Sequence, residues 1–291
     1  MNTFFLTVAG IVPAVVLCTY VYKKDKVEKE PLGLLIQLLL AGIIACIPAA
    51  YIEGYIGDII DGFFYPHVYD GIIDTTDYTY HAVTAFVGVA LVEEGCKWFF
   101  LVRITKNNKD FNSLFDGMLY AIFVSLGFAG FENILYVVEY GWMTAIVRAL
   151  LSVPGHMFDG VMMGYYYSRW KIFKEAALIE DKYIKRGFLE KRGASFPYER
   201  NMYLSLIVPI LMHGAYDFCC FVNEAWATIA LYALVIIMYA YCFKKIKETS
   251  RDDAPLEEYV INTLAKTYPE LPERIEAEKE MLGMYQKRQF C

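Results

Sequence analysis

Long apolar runs separated by short charged segments dominate the pattern of this 291-residue chain. A helix that spans a bilayer needs about 20 mostly apolar residues, and seven runs reach that length. The pattern therefore predicts an all-α, polytopic bundle of transmembrane helices. The predicted spans are Thr3 to Tyr22, Leu32 to Ile52, His81 to Val102, Met118 to Val138, Trp142 to Tyr167, Met202 to Phe221 and Ala225 to Phe243.

The distribution of lysine and arginine predicts how these spans are oriented. Basic residues cluster in four segments, at positions 23–29, 103–109, 169–200 and 244–251, and none lies between Pro31 and Cys96. Cytoplasmic flanks of transmembrane helices carry lysine and arginine in excess. Seven spans with the N-terminus outside and the C-terminus in the cytoplasm put all four segments on one side.

Composition supports a membrane protein, since 57% of the residues are hydrophobic and 16% are aromatic. Residues 1–243 hold all the predicted spans, and residues 244–291 form a predicted cytoplasmic tail. Spaced apolar residues in the tail predict one surface helix that ends near Pro269 and Pro272. We expect this tail to be a solvated appendage that tolerates truncation, and a regulatory element is the alternative.

Two adjacent acids, Glu93 and Glu94, interrupt the apolar run from Ala82 to Val102, together with Lys97. Each charged side chain near the middle of a bilayer costs roughly 2.5 to 3.5 kcal/mol. Three such residues in one span therefore indicate a functional site. Lys97 could also simply neutralise Glu93, which lies four residues before it.

Ionisable groups also lie in the next three predicted spans. These are Glu132, then His156, then His213 with Asp217 four residues further on. At a rise of about 1.5 Å per residue, these groups and Glu94 fall within a turn or two of the same depth. We therefore expect a shared site, in which Asp217 could orient His213.

Three further polar residues are expected to have other roles. Asp159 lies one turn beyond His156 and is given no role of its own. Arg148 is expected to extend its charged end to the outer interface. Asp116 is expected to mark the start of a helix.

Peptide hydrolysis is one reaction that this set of residues permits, because a carboxylate can take the proton of a water that attacks a carbonyl. The histidines could polarise that carbonyl or stabilise the oxyanion. Two histidines and a carboxylate also form a typical zinc set, so the cofactor is either none or a divalent metal such as zinc. The ligands would then be His156, His213 and either Glu132 or Asp217, with Glu93 or Glu94 as the base.

Three spaced motifs occur in order along the predicted spans. Glu93 to Lys97 is E-E-x-x-K, Phe128 to Glu132 is F-x-x-x-E, and His213 to Asp217 is H-x-x-x-D, with His156 between the last two. In this order they resemble the PrsW family of bacterial intramembrane proteases, over about residues 82–218. The chain is more distantly similar to the CAAX-processing and bacteriocin-immunity membrane proteins.

The resemblance implies a multi-pass protease of the bacterial cell membrane that cuts a single-span anti-sigma factor and so starts the activation of a sigma factor in a stress response. The implied partners are this substrate and the lipid bilayer, with no nucleic acid. An ion- or proton-coupled transporter that uses the same buried groups is the alternative. The implied catalytic residues are Glu93, Glu94, Glu132, His156 and His213, with Lys97 and Asp217 in support.

Overall fold

The computed structural model describes residues 3–64, 77–190, 196, 198–222 and 224–289, with side chains up to residue 280. The prediction of an all-α fold is confirmed, because the described ranges contain helices and no strand. The helices are α1 (Thr3–Lys24), α2 (Leu32–Phe64), α3 (Tyr78–Val83), a π-helix (Thr84–Ala90), α4 (Leu91–Thr105), α5 (Leu114–Tyr140), α6 (Trp142–Leu150), α7 (Ser152–Lys185), α8 (Glu199–Phe221), α9 (Ala225–Arg251), α10 (Leu256–Leu264) and α11 (Leu271–Gln289).

Five of these helices are long and apolar enough to cross a membrane within the described ranges, namely α1, α2, α5, α8 and α9. The segment that holds Glu93 is continuous from Tyr78 to Thr105 but is divided by the π-helix. The segment that holds His156 is the long helix α7, whose second half is rich in charge. The count of seven spans and the orientation of the termini remain predictions.

The prediction of one helix from Trp142 to Tyr167 is wrong, because the chain forms two helices there. Gly141 has a φ of +87°, a left-handed conformation that suits glycine and separates α5 from α6. A second break at Leu151 separates α6 from α7. Pro154 lies in the first turn of α7, where a proline needs no backbone donor, so the sequence favours a new helix start there.

Helix α5 is the centre of the bundle and packs against α7, α2 and α1. Its residues are almost continuously buried from Phe115 to Gly130. A Cβ atom at Gly127 would lie 2.1 Å from the Leu39 carbonyl oxygen, and one at Gly42 would lie 2.0 Å from that of Val124. Small residues at such positions let two helix backbones approach closely, as is common in membranes.

A capping box begins α5 and confirms the prediction for Asp116. The Ser113 side chain accepts from the backbone of Phe115 and Asp116, and the Asp116 side chain accepts from the Ser113 backbone. This arrangement satisfies amide donors that the first turn of a helix leaves free. Asp116 therefore fixes a helix end.

The π-helix lies directly before the turn that carries Glu93 and Glu94. One of its residues, Phe86, packs closely against α8, where a Cβ atom at Gly214 would lie 2.3 Å from the Phe86 ring. Gly214 follows His213 in the chain. Single π turns are frequent at functional sites, and this one packs against α8, the helix that carries His213.

The C-terminal tail is not a solvated appendage, so that expectation is wrong. Helix α9 continues through the predicted boundary at residue 243 to Arg251. The surface helix appears as α10, but its Val260 and Leu264 are fully buried in the main core. Tyr259 also stacks on Phe173 of α7, with 6.1 Å between ring centroids. Apolar burial of this kind holds the tail against the bundle.

Candidate active site

Lys97 is a fully buried cation between two carboxylates of its own helix. Positions three and four residues apart share one face of a helix, so Glu93, Glu94 and Lys97 converge within one turn of α4. The Lys97 Nζ lies 2.9 Å from Glu93 Oε2 and 2.7 Å from Glu94 Oε1. It also lies 4.1 Å from the centre of the Phe128 ring, whose face attracts a cation.

His213 reaches this cluster from α8. Its Nδ1 lies 2.9 Å from Glu94 Oε1, and its Nε2 lies 3.2 Å from Asp217 Oδ2, one turn along the same helix. Carboxylates at both nitrogens fix the orientation of the ring. Asp159 of α7 is a third carboxylate near this ring, with its Oδ2 3.8 Å from His213 Nδ1.

His156 enters from α7 and contacts two other helices. Its Nδ1 lies 3.1 Å from Lys97 Nζ, and its Nε2 lies 3.0 Å from Glu132 Oε2 on α5. The ring centroids of His156 and His213 are 5.1 Å apart at an interplanar angle of 80°. Four helices thus place two imidazoles and three glutamates around one buried ammonium group.

A cavity of about 470 Å³ opens beside this cluster. Glu93, Glu132, His156 and His213 line it, whereas the fully buried Glu94 does not. The Glu93 Oε2 atom lies 4.0 Å from His156 Nδ1 and 3.9 Å from His213 Nε2. Glu93 therefore offers its carboxylate to the cavity, between the two histidines.

All seven residues predicted for the site come together in the structure. Their individual roles remain proposals. The sequence shows Asp159 one turn beyond His156, but it gave no indication of a role, whereas the structure places this carboxylate beside His213. Sequence analysis was wrong about Arg148, which does not extend to the interface but forms an ion pair with Glu132 at 2.8 Å between Nη2 and Oε2.

The comparison with known families decides among the classes of protein that this geometry permits. Residues 30–243 match the family described as PrsW family intramembrane metalloprotease. This chain belongs to the PrsW family of intramembrane proteases. It is therefore a membrane-embedded protease and a multi-pass bacterial membrane protein.

Curated relatives agree with this assignment. The chain is 31% identical over 245 residues to the Protease PrsW of Geobacillus kaustophilus, which covers 84% of this chain and 92% of the relative. It is 29% identical over 247 residues to the Protease PrsW of Bacillus subtilis, a match that covers 84% of this chain and 95% of the relative. For the Protease PrsW of Clostridioides difficile the identity is 28% over 247 residues, which cover 84% of this chain and 90% of the relative. No solved structure matches the chain.

The family description names a metalloprotease, and the residue types at the site fit a divalent metal. In the described part of the chain, Glu93, Glu94, His156 and His213 form a buried group whose possible ligand atoms all lie within 4.8 Å of one another. The Glu94 Oε2 atom is buried there without a hydrogen-bond partner. Imidazole and carboxylate are ordinary zinc ligands.

The carboxylates in this group are Glu93 and Glu94, whereas the sequence analysis named Glu132 or Asp217 as the carboxylate ligand. Glu132 lies at the far nitrogen of His156, and Asp217 lies at Nε2 of His213. Carboxylates beside the ring nitrogens of a histidine ligand commonly orient the ring.

Proposed function

We propose that this PrsW-family protein is an intramembrane endopeptidase that cuts a single-span membrane substrate of the anti-sigma-factor type. The cut would be the first step of regulated proteolysis that activates a sigma factor, as the sequence resemblance implies. The observation that carries the proposal is the Glu93 carboxylate, which faces a cavity at 3.9 to 4.0 Å from two histidines.

Glu93 is the proposed general base. A carboxylate that borders a cavity can hold a water there and take its proton as the oxygen attacks a peptide carbonyl. The Lys97 ammonium, 2.9 Å from Glu93 Oε2, stabilises the negative charge that this role requires. Glu94 lies behind this surface and is proposed to hold His213 and Lys97 in place.

His156 and His213 are proposed to stabilise the oxyanion that forms on the attacked carbonyl. Both rings line the cavity beside Glu93, where Glu132 orients His156 at Nε2 and Glu94 and Asp217 hold His213 at Nδ1 and Nε2. Preorganised donors in a site without bulk water stabilise developing charge most effectively. The leaving amine would receive the proton that Glu93 has taken from the water.

A divalent metal ion would be held by Glu93, Glu94, His156 and His213, and it would lower the pKa of a bound water. Lys97 Nζ lies within 3.1 Å of atoms of three of these four residues. The ammonium and a metal ion would therefore compete for the same carboxylates. Metal content and sensitivity to chelators are measurable consequences of this competition.

The test is cleavage of a tagged single-span anti-sigma factor by purified protein in detergent. We expect Glu93→Gln, Glu94→Gln and His213→Ala to abolish cleavage while the protein still inserts into the membrane. Glu139→Gln is the matched control, because Glu139 is exposed on the same helix as Glu132. Normal cleavage by Glu93→Gln would remove Glu93 as the base.

Two parallel assays decide whether cleavage depends on a metal ion. Loss of activity with a zinc chelator, restored by added zinc, would establish metal dependence, and the metal content of the purified protein can be measured directly. Absence of cleavage by the folded wild type against every single-span substrate offered would contradict the proposed function.

A further inference from the structure

Arg148 lies in the wall of the active-site cavity. It belongs to the short helix α6, between the helix breaks at Gly141 and Leu151. Its side chain is only 14% exposed. Its Nη2 lies 2.8 Å from Glu132 Oε2, and its Nε donates to Asn133 Oδ1 at 3.0 Å. The guanidinium also lies 4.1 Å from the centre of the Tyr136 ring.

These contacts continue on both sides of Arg148. The same Glu132 Oε2 atom that faces the guanidinium lies 3.0 Å from His156 Nε2. On the other side, Asn133 Nδ2 donates to the Gly10 carbonyl oxygen at 2.7 Å. A polar chain therefore runs from the backbone of α1, through Asn133, Arg148 and Glu132, to the imidazole of His156.

We infer that Arg148 is a positioning residue, which holds Glu132 against His156 and so fixes the His156 ring beside Glu93. The inference rests on the proposed function, in which His156 acts on the carbonyl. Within the described residues, the guanidinium of Arg148 contacts the side chains of Glu132 and Asn133, so it joins two adjacent residues of α5. The planar, multi-donor shape of arginine suits this geometry, and a lysine could not reproduce it.

The arrangement also explains why an arginine is held there. A Glu132 carboxylate without its partner would be a charge in a low-dielectric site with only an imidazole beside it. It could then turn toward water in the cavity and leave His156 Nε2. The ion pair removes this freedom and keeps one oxygen on the ring.

Kinetics give the first test. A change in a partner that orients an active-site histidine typically costs about 10- to 100-fold in activity. We expect Arg148→Met to lower kcat by about that factor with KM changed less than about twofold, and Arg148→Lys to lie between it and the wild type. The control is Arg251→Met, which removes an exposed arginine whose ion pair is with Asp252.

The second test needs no substrate and so stands even if the proposed function fails. The chain has four histidines, His67, His81, His156 and His213, which suits side-chain ¹⁵N NMR of histidine-labelled protein. Their signals can be assigned by single substitutions. We expect Arg148→Met to shift the ring signals of His156 and to leave those of His81 unchanged, with Arg148→Lys giving a smaller shift.

A double variant shows whether Arg148 acts through Glu132. In protein that already carries Glu132→Gln, adding Arg148→Met should move the His156 signals little further, because residues in one network are not additive. Unchanged His156 signals in Arg148→Met would overturn the inference. So would a rise in KM at constant kcat, or a further full shift in the double variant.

If Arg148→Met does not fold, the same measurements on Arg148→Lys decide the question. His156 signals identical to the wild type in that variant would overturn the inference, and a selective shift would support it.

Discussion

Lys97 Nζ lies 2.7 Å from Glu94 Oε1, and neither side chain is exposed. Glu93 shares the same ammonium at 2.9 Å. The lysine is therefore the counter-charge of the acidic pair, in surroundings where an unpaired charge is costly.

Replacing Lys97 by methionine should destabilise the protein by about 3–5 kcal/mol, because two buried carboxylates would lose their partner. The measurement is the thermal unfolding midpoint in detergent. The double variant Lys97→Met/Glu93→Gln should recover part of the loss, since one uncompensated charge is then removed. An unfolding midpoint equal to that of the wild type in Lys97→Met would show that the ammonium does not stabilise this cluster.

Gly214→Ala should reduce proteolysis by roughly tenfold and lower stability by about 1–3 kcal/mol, as overpacking does. The new Cβ atom would lie 2.3 Å from the Phe86 ring, so the ring or α8 must shift, and we expect α8 to move and take His213 with it. Cleavage rate and unfolding midpoint are the measurements.

Gly95→Ala is the matched control for that prediction. Gly95 follows Glu94 directly, yet a Cβ atom there would meet nothing within 4 Å. The double variant Gly214→Ala/Phe86→Ala should regain activity, because it restores the space. If Gly95→Ala lost as much activity as Gly214→Ala, contact with Phe86 would not be the cause.

The free energy of unfolding should fall as the pH rises from about 5 to 8, because two acids near the tail are withdrawn from solvent: Glu30 is buried and Asp253 is half-buried. Burial raises the pKa of Asp253 to about 7 and that of Glu30 to about 8. In the unfolded chain such groups titrate near 4. The native state therefore holds protons that the unfolded state has released, and this advantage is lost as the pH rises through the native pKa values.

Asp253→Asn separates the contribution of Asp253 from that of Glu30. The amide oxygen can still accept from the Phe115 backbone, as the carboxylate does at 3.1 Å. We expect the unfolding midpoint of this variant to change less between pH 5 and pH 7 than that of the wild type. Asp252→Asn, at the exposed neighbouring position, should keep the wild-type pH dependence. Equal slopes for all three proteins would contradict the assignment to Asp253.

Leu264→Ala should release the tail from the bundle. Leu264 is fully buried, and removing such a side chain typically costs about 2–5 kcal/mol. Limited proteolysis should cut this variant near α10 faster than the wild type. Leu178→Ala, which changes a leucine that is 63% exposed on α7, should be cut at the wild-type rate. Equal rates for the two variants would argue against docking of the tail.

Much of this site could be predicted because its charges are rare in apolar runs. Glu93, Glu94 and Glu132 are visible in the sequence as acids where lipid or protein interior is expected. A constant rise per residue then gives their relative depth. The periodicity of the chain does not give the direction in which each side chain points around its helix, and only the packing of the four helices decides that Glu93 rather than Glu94 lines the cavity.

Other features depend on tertiary packing and were missed. The break at Leu151 follows no strong signal beyond Pro154, so Arg148 was placed on the wrong part of a helix. Val260 and Leu264 indicated an amphipathic helix, but nothing in the tail identified α7 as its partner. Sequence patterns give the faces of helices, and the partner of each face is decided by the whole fold.

The acidic pair and its lysine belong to a single turn of one helix, and this has a consequence for how the protein is made. For a segment that enters the bilayer on leaving the ribosome, as the sequence predicts for this one, the counter-charge of Glu93 and Glu94 is already three to four residues away. One of the two negative charges is thus compensated before any other helix arrives, which lowers the cost of moving the segment into lipid. Insertion can precede assembly of the site, and the histidines need only dock onto a group that is already paired.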